Sequence, residues 1–178
     1  MFLELVRQRR SVRRYLPQPV TTEQVDLLIE AALRAPCSRG VSPWHFVVVT
    51  APGLLADLSR AKPHGASFLR HAPLAIAVCA DPADKGDVWI EDAAIAATFL
   101  HLAAASLGLG SCWIQIRGRN HDERLTSSAY VAEVLGLPAG LEVEAIVSVG
   151  FPAENPVPHS RGALPVDRVS LNRFGQRR

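Results

Sequence analysis

A chain of 178 residues with 48% hydrophobic residues is long enough for one well-cored domain and too apolar for a disordered tail. Its formal net charge of +2 excludes a broadly basic nucleic-acid coat. No apolar run reaches the length of a membrane span, and Met1-Phe2-Leu3-Glu4 lacks the basic start and long apolar core of a signal peptide. The three cysteines, Cys37, Cys79 and Cys112, are odd in number, have no metal-ligand spacing and suit a reducing cytoplasm. The expectation is a single domain over 1–178 with neither membrane nor nucleic acid as partner.

The first predicted element is a short helix over Phe2–Arg9 with Phe2, Leu5 and Val6 on one side. Charge then concentrates: five arginines fall between Arg7 and Arg14, and Arg9-Arg10-Ser11-Val12-Arg13-Arg14-Tyr15 places four of them around a small hydroxyl residue. Planar, permanently charged guanidinium groups beside a short hydroxyl donor suit a bound anion. A solvated basic face after a helix fits the same residues. Thr21 and Gln24 have capping-box character, and Val25, Leu28, Ile29, Ala32 and Leu33 continue at helical spacing to a stop at Ala35-Pro36.

Residues 36–43 read as a loop of small and turn-forming residues, followed by a buried strand over Trp44–Thr50. Pro52 opens a helix, and Leu74–Ala80 is a second buried strand. Asp87–Leu107 is the longest helical stretch, apolar around much of its circumference and rich in alanine, which predicts a central helix covered on several sides. Gly108-Leu109-Gly110 ends it, and Ser111–Ile116 follows as a strand. Asn120 is expected to cap a helix over His121–Leu135, with a last strand over Leu141–Val149. Beyond Pro152 the chain has little periodicity and is expected to lie along another surface. Mixed helices and strands, with helices before any strand, indicate α+β with one mostly antiparallel sheet flanked by helices.

Four stretches together resemble the FMN-dependent nitroreductase family over essentially the whole chain. They are Arg9–Tyr15; Ala35-Pro36-Cys37-Ser38-Arg39-Gly40-Val41-Ser42-Pro43-Trp44-His45-Phe46; Asp92 through Leu107-Gly108-Leu109-Gly110-Ser111-Cys112-Trp113-Ile114; and Val149-Gly150-Phe151-Pro152 with the later Arg161. The resemblance implies a homodimer with FMN at the interface and a C-terminal tail extending along the partner. It also implies hydride transfer from NADH or NADPH, through FMN, to a small acceptor such as a nitroaromatic or quinone. Arg9, Ser11 and Arg161 would hold the FMN phosphate and ribityl chain, with Arg10 beside them. Arg13 would reach the N1/O2 edge of the ring, where a cation favours the reduced form. Pro36, Cys37 and Ser38 would come from the partner. Trp113 and Ile114 would pass near the ring, with the amides of Gln115 and Ile116 by its N5 and O4. The chain departs from the family pattern at Cys37, Gly40 and Ser42, which replace the usual serine, asparagine and glutamine, so the asparagine contact to the ring is altered at Gly40. The interval between Thr50 and Asp87 is short, implying a more open cleft.

No side chain is singled out as catalytic, since the flavin would carry the chemistry, and the six histidines show no metal spacing. Gly108-x-Gly110 follows a helix and opens a strand, the reverse of a dinucleotide fingerprint. Rival readings are a same-fold enzyme with another flavin reaction, such as flavin fragmentation, dehalogenation or heterocycle oxidation; a non-catalytic flavin binder; and a small nucleic-acid binder using residues 7–14.

Overall fold

Leu74–Ala80 carries no charged side chain, and all seven residues are buried on both faces. This strand, β2, sits inside a four-stranded antiparallel sheet in a computed structural model that describes residues 1–85 and 88–177. The other strands are β1 (Trp44–Val49), β3 (Gly110–Gln115) and β4 (Glu142–Gly150), in the order β1-β2-β4-β3. β4 is buried from Val143 to Gly150, as the second interior strand must be. β1 was expected to be buried, but it is the edge of the sheet: His45 and Val48 are exposed. An apolar run does not reveal whether its outer edge is covered.

The helices, in chain order, are α1 (Phe2–Gln8), α2 (Thr22–Leu33), α3 (Pro52–Leu58), α4 (Pro82–Lys85), α5 (Trp89–Ser106) and α6 (Ser127–Leu135). The expected start of the long helix at Asp87 lies outside the described residues. Thr21 and Gln24 form the full reciprocal capping box at the start of α2. α2 and α5 cover one face of the sheet, where Leu28, Ala32, Ala97, Leu100 and Ala104 pack on Leu74, Ile76, Val147 and Val149. The alanines of α5 let it lie close to the sheet. α3 and α6 cover the other face, with Leu55, Leu58 and Val131 on Ala75, Ala77, Ile114 and Ile146.

One further expectation is corrected. α6 begins at Ser127, capped by the Thr126 hydroxyl, and not at His121. Residues 120–126 make a turn in which the Asp122 carboxylate accepts from the amides of Arg124 and Leu125. Asn and Asp at such positions serve local turns as readily as helix starts. Helix α1 buries none of its residues within the chain, and Phe2, Leu3 and Val6 are exposed. No helix among the described residues is long and apolar enough to cross a membrane.

Candidate flavin-type anion site

After α1 the chain runs out along the free edge of β3. Ser11 forms an isolated parallel bridge to Ser111, and the Val12 amide donates to Ser111 O at 3.0 Å. The approach is close because Gly110 has no side chain: a Cβ there would lie 2.7 Å from Val12. Further on, Leu16 N–H donates to Phe151 O and Ala153 N–H to Arg14 O, both at 2.9 Å.

Glu154 ties down the remaining backbone. It accepts from the amides of Arg13 (2.6 Å) and Arg14 (3.2 Å) and from Arg14 Nε (3.0 Å). These donors, the Arg13 amide foremost, hold its carboxyl below the ordinary range. Tyr15 is buried, donates to Val12 O at 2.6 Å and is hydrogen-bonded to Ser148 Oγ at 2.7 Å. Losing water pushes its hydroxyl well above the usual tyrosine range.

Among the described residues, the side chains of Arg9, Arg10, Arg13 and Arg161 enter no hydrogen bond or ion pair. The segment therefore has an anchored backbone and uncommitted cations. Arg9 stands between two cavities. One, of about 640 Å³, is lined by α1, Arg10, Val12, Gly110, Ser111 and residues 152–156. The other, of about 700 Å³, brings Arg9 together with Arg7, His159 and Arg161. Arg7 is already paired with Glu4 at 3.3 Å. Arg9 and Arg161, far apart in sequence, thus line one cavity, as an anion clamp requires. Ser11 and Arg13 lie near the buried Cys112 thiol, which burial pushes upward.

Behind this edge, His101 on α5 is buried, with Nδ1 2.8 Å from Ser111 Oγ and its ring stacked on Trp113 at 6.4 Å between centroids. Burial, with the Arg9 charge adding to it, pushes its pKa down to about 4. The imidazole is therefore neutral near pH 7. Trp113 is half-buried and donates from Nε1 to Gln115 Oε1 at 2.9 Å. Gln115 Nε2 in turn donates to Arg117 O. Ile114 and Ile116 point into the opposite core, and the Ile116 amide already donates to Glu144 O at 3.2 Å.

The second predicted stretch lies elsewhere. Ser38–Gly40 is a single 3₁₀ turn with Arg39 and Gly40 both in the left-handed region, at φ 56° and 68°. Ser38 N–H donates to Asp92 Oδ1 at 2.9 Å, and Cys37 Sγ lies 3.8 Å from Ser42 Oγ. None of Pro36, Cys37, Ser38 or Gly40 lines either cavity beside Arg9. Glu154, His101, Tyr15 and Asp92 were not among the residues expected at the site. Their roles depend on partners brought near by folding.

The family model for the Nitroreductase family matches residues 6–66 and 54–151, which includes the arginine segment, the 36–43 loop and all four strands. The chain belongs to the Nitroreductase family. An FMN-dependent nitroreductase of Clostridium difficile R20291 superposes with a TM-score of 0.94 at 41% identity, covering 97% of this chain and 99% of that one. A relative in Archaeoglobus fulgidus, provisionally named NADH dehydrogenase/NAD(P)H nitroreductase, is 35% identical over 155 residues, 85% of this chain and 86% of its own length. The NADPH-flavin oxidoreductase of Vibrio harveyi is 30% identical over 167 residues, 86% of this chain and 67% of its own. The fold expected of a nitroreductase, α+β with an antiparallel sheet flanked by helices, is the one observed.

Proposed function

We propose that this nitroreductase-family chain is an NAD(P)H-dependent FMN oxidoreductase that delivers hydride to a small acceptor such as a nitroaromatic or quinone. The observation that carries the reading is the pairing of Arg9 and Arg161 in one cavity, next to a segment whose backbone is tied at Val12, Arg13, Arg14 and Leu16 to Ser111, Glu154 and Phe151. The residues fit FMN: uncommitted guanidinium groups for a phosphate, Ser11 as a short donor, and half-buried Trp113 and Gln115 farther along β3. FMN, when bound, supplies the reversible two-electron chemistry.

The protein's part is to grip, orient and polarise. Arg9, Ser11 and Arg161 hold the phosphate and ribityl chain, with Arg10 alongside. Arg13 faces the N1/O2 edge, where its positive charge favours the reduced ring. Pro36, Cys37, Ser38 and Gly40 lie away from this clamp in their own chain, which supports their meeting the FMN of a partner subunit in a homodimer. The Ile116 amide is committed to Glu144, so we assign Ile114 and Ile116 to the floor beneath the site. A small acceptor would enter a cleft that the short 50–87 interval leaves open.

The visible spectrum of purified protein tests this. A bound-flavin spectrum that bleaches under anaerobic NADH or NADPH and recovers on adding a quinone or nitroarene is expected. Arg9→Ala should weaken FMN binding roughly tenfold to a hundredfold, the range for loss of a charge-assisted phosphate contact. The melting temperature of the apoprotein should barely move, since the Arg9 side chain makes no hydrogen bond or ion pair among the described residues and only its backbone amide is engaged, donating to Leu5 O. Colourless protein that binds DNA in a salt-dependent way would instead restore the nucleic-acid reading.

A further inference from the structure

Asp92 sits in the first turn of α5, is 3% exposed and meets the 36–43 loop at Ser38. Its Oδ1 accepts from Ser38 N–H at 2.9 Å, while its Oδ2 is buried with no hydrogen-bond partner. A carboxyl oxygen so placed, buried and unpartnered, is expensive to desolvate. The amino end of an eighteen-residue helix and one amide donor offset only part of that cost. For packing alone, an apolar residue would serve better here.

What Asp92 does hold is the turn at 38–40. That turn is strained: Arg39, a residue with a full side chain, is in the left-handed region, Cys37 provides no side-chain cap, and the closing bond from Val41 N–H to Ser38 O is long at 3.3 Å. The first amide of the turn is secured from outside, by α5.

We propose that Asp92 is a positioning residue for FMN binding in the neighbouring subunit. By fixing the Ser38 amide it sets the turn that presents Cys37 and Ser38 across the interface to the coenzyme gripped by the partner's arginine clamp. Asp92 touches no coenzyme itself. The inference rests on the FMN reading given above.

The test is FMN titration of the apoprotein, read by quenching of flavin fluorescence. Asp92→Ala should raise the dissociation constant about tenfold, the size expected from losing one buried hydrogen bond. Asp92→Asn keeps an oxygen able to accept from Ser38 and should stay within about threefold of the parent. If Asp92→Ala is insoluble, Asp92→Ser, too short to reach Ser38, is read in its place. Co-expression of an Asp92→Ala chain with an Arg9→Ala chain, purified as the mixed dimer through two tags, separates action across the interface from general damage. One FMN per mixed dimer should bind with parental affinity, because one of its sites combines an intact Arg9 with an intact loop from the other chain. No parental-affinity site in the mixed dimer, or an Asp92→Ala homodimer that binds FMN normally, overturns the inference. If Arg9→Ala also binds FMN normally, the FMN reading itself falls. If Arg9→Ala is weakened and Asp92→Ala is not, only the role of Asp92 is lost.

Discussion

His101 shows how the site is built from behind. Its imidazole bonds Ser111 Oγ, and Ser111 O in turn receives the Val12 amide, so a buried ring supports the arginine segment through one intermediary. Its pKa falls from an ordinary 6.5 to about 4, through burial first and the Arg9 charge second. Above pH 6.5 the ring is neutral in folded and unfolded chains alike and adds nothing to pH dependence. Between 6.5 and about 4 the unfolded chain takes up a proton that the folded chain refuses, so this residue lowers stability as pH falls. His101→Gln should flatten that limb, retaining up to about 3 kcal/mol more of its neutral-pH stability near pH 4. Urea unfolding at a series of pH values checks it; parallel curves for parent and variant would show that His101 does not titrate in this way. Neither His101 nor Glu154 was legible beforehand. Glu154 meets Arg13 across 141 positions, and nothing local marks it.

At the scale of elements, the contact between the arginine segment and β3 depends on the missing side chain at Gly110. A methyl group there would stand 2.7 Å from Val12 Cβ and Cγ1. Gly110→Ala should cost about 1–3 kcal/mol, the usual range for overpacking. Pairing it with Val12→Ala should recover much of that loss, and additive effects in the double-mutant cycle would rule out a direct clash. β2 and the start of α2 were readable because the signals are local: a fully apolar run bounded by Pro73, and a Thr21–Gln24 box. The Arg9–Tyr15 and 36–43 motifs were legible as patterns; nothing local pairs Arg161 with Arg9, a pairing that only the family resemblance implied, and in the structure the two line one cavity. β1 was misread because exposure of a sheet edge is a tertiary property. The start of α6 was misread because Asn120 and Asp122 signal turns and helix caps alike.

At the scale of the molecule, a number of large apolar side chains are left outside the core. Phe2, Leu3 and Val6 are exposed on α1, Ile95 on α5, and Val157, Val166 and Phe174 along the tail. On α1, which buries none of its residues within the chain, and on the tail, they suit the contact expected between two subunits. A dimer should appear in sedimentation equilibrium at micromolar protein, with a melting temperature that rises with protein concentration. A monomer whose melting is independent of concentration would remove the two-chain site. The arginine segment has one more consequence, through its attachment to residue 111 and to residues 148–154. A ribosome delivers the chain from its amino end, so the arginine segment emerges well before its supports. Until β4 and Glu154 have left the exit tunnel, a nascent chain carries its arginines on an unanchored leader. On the proposed FMN reading, coenzyme loading waits for β4 and Glu154, and a translation product stalled near position 140 should be colourless.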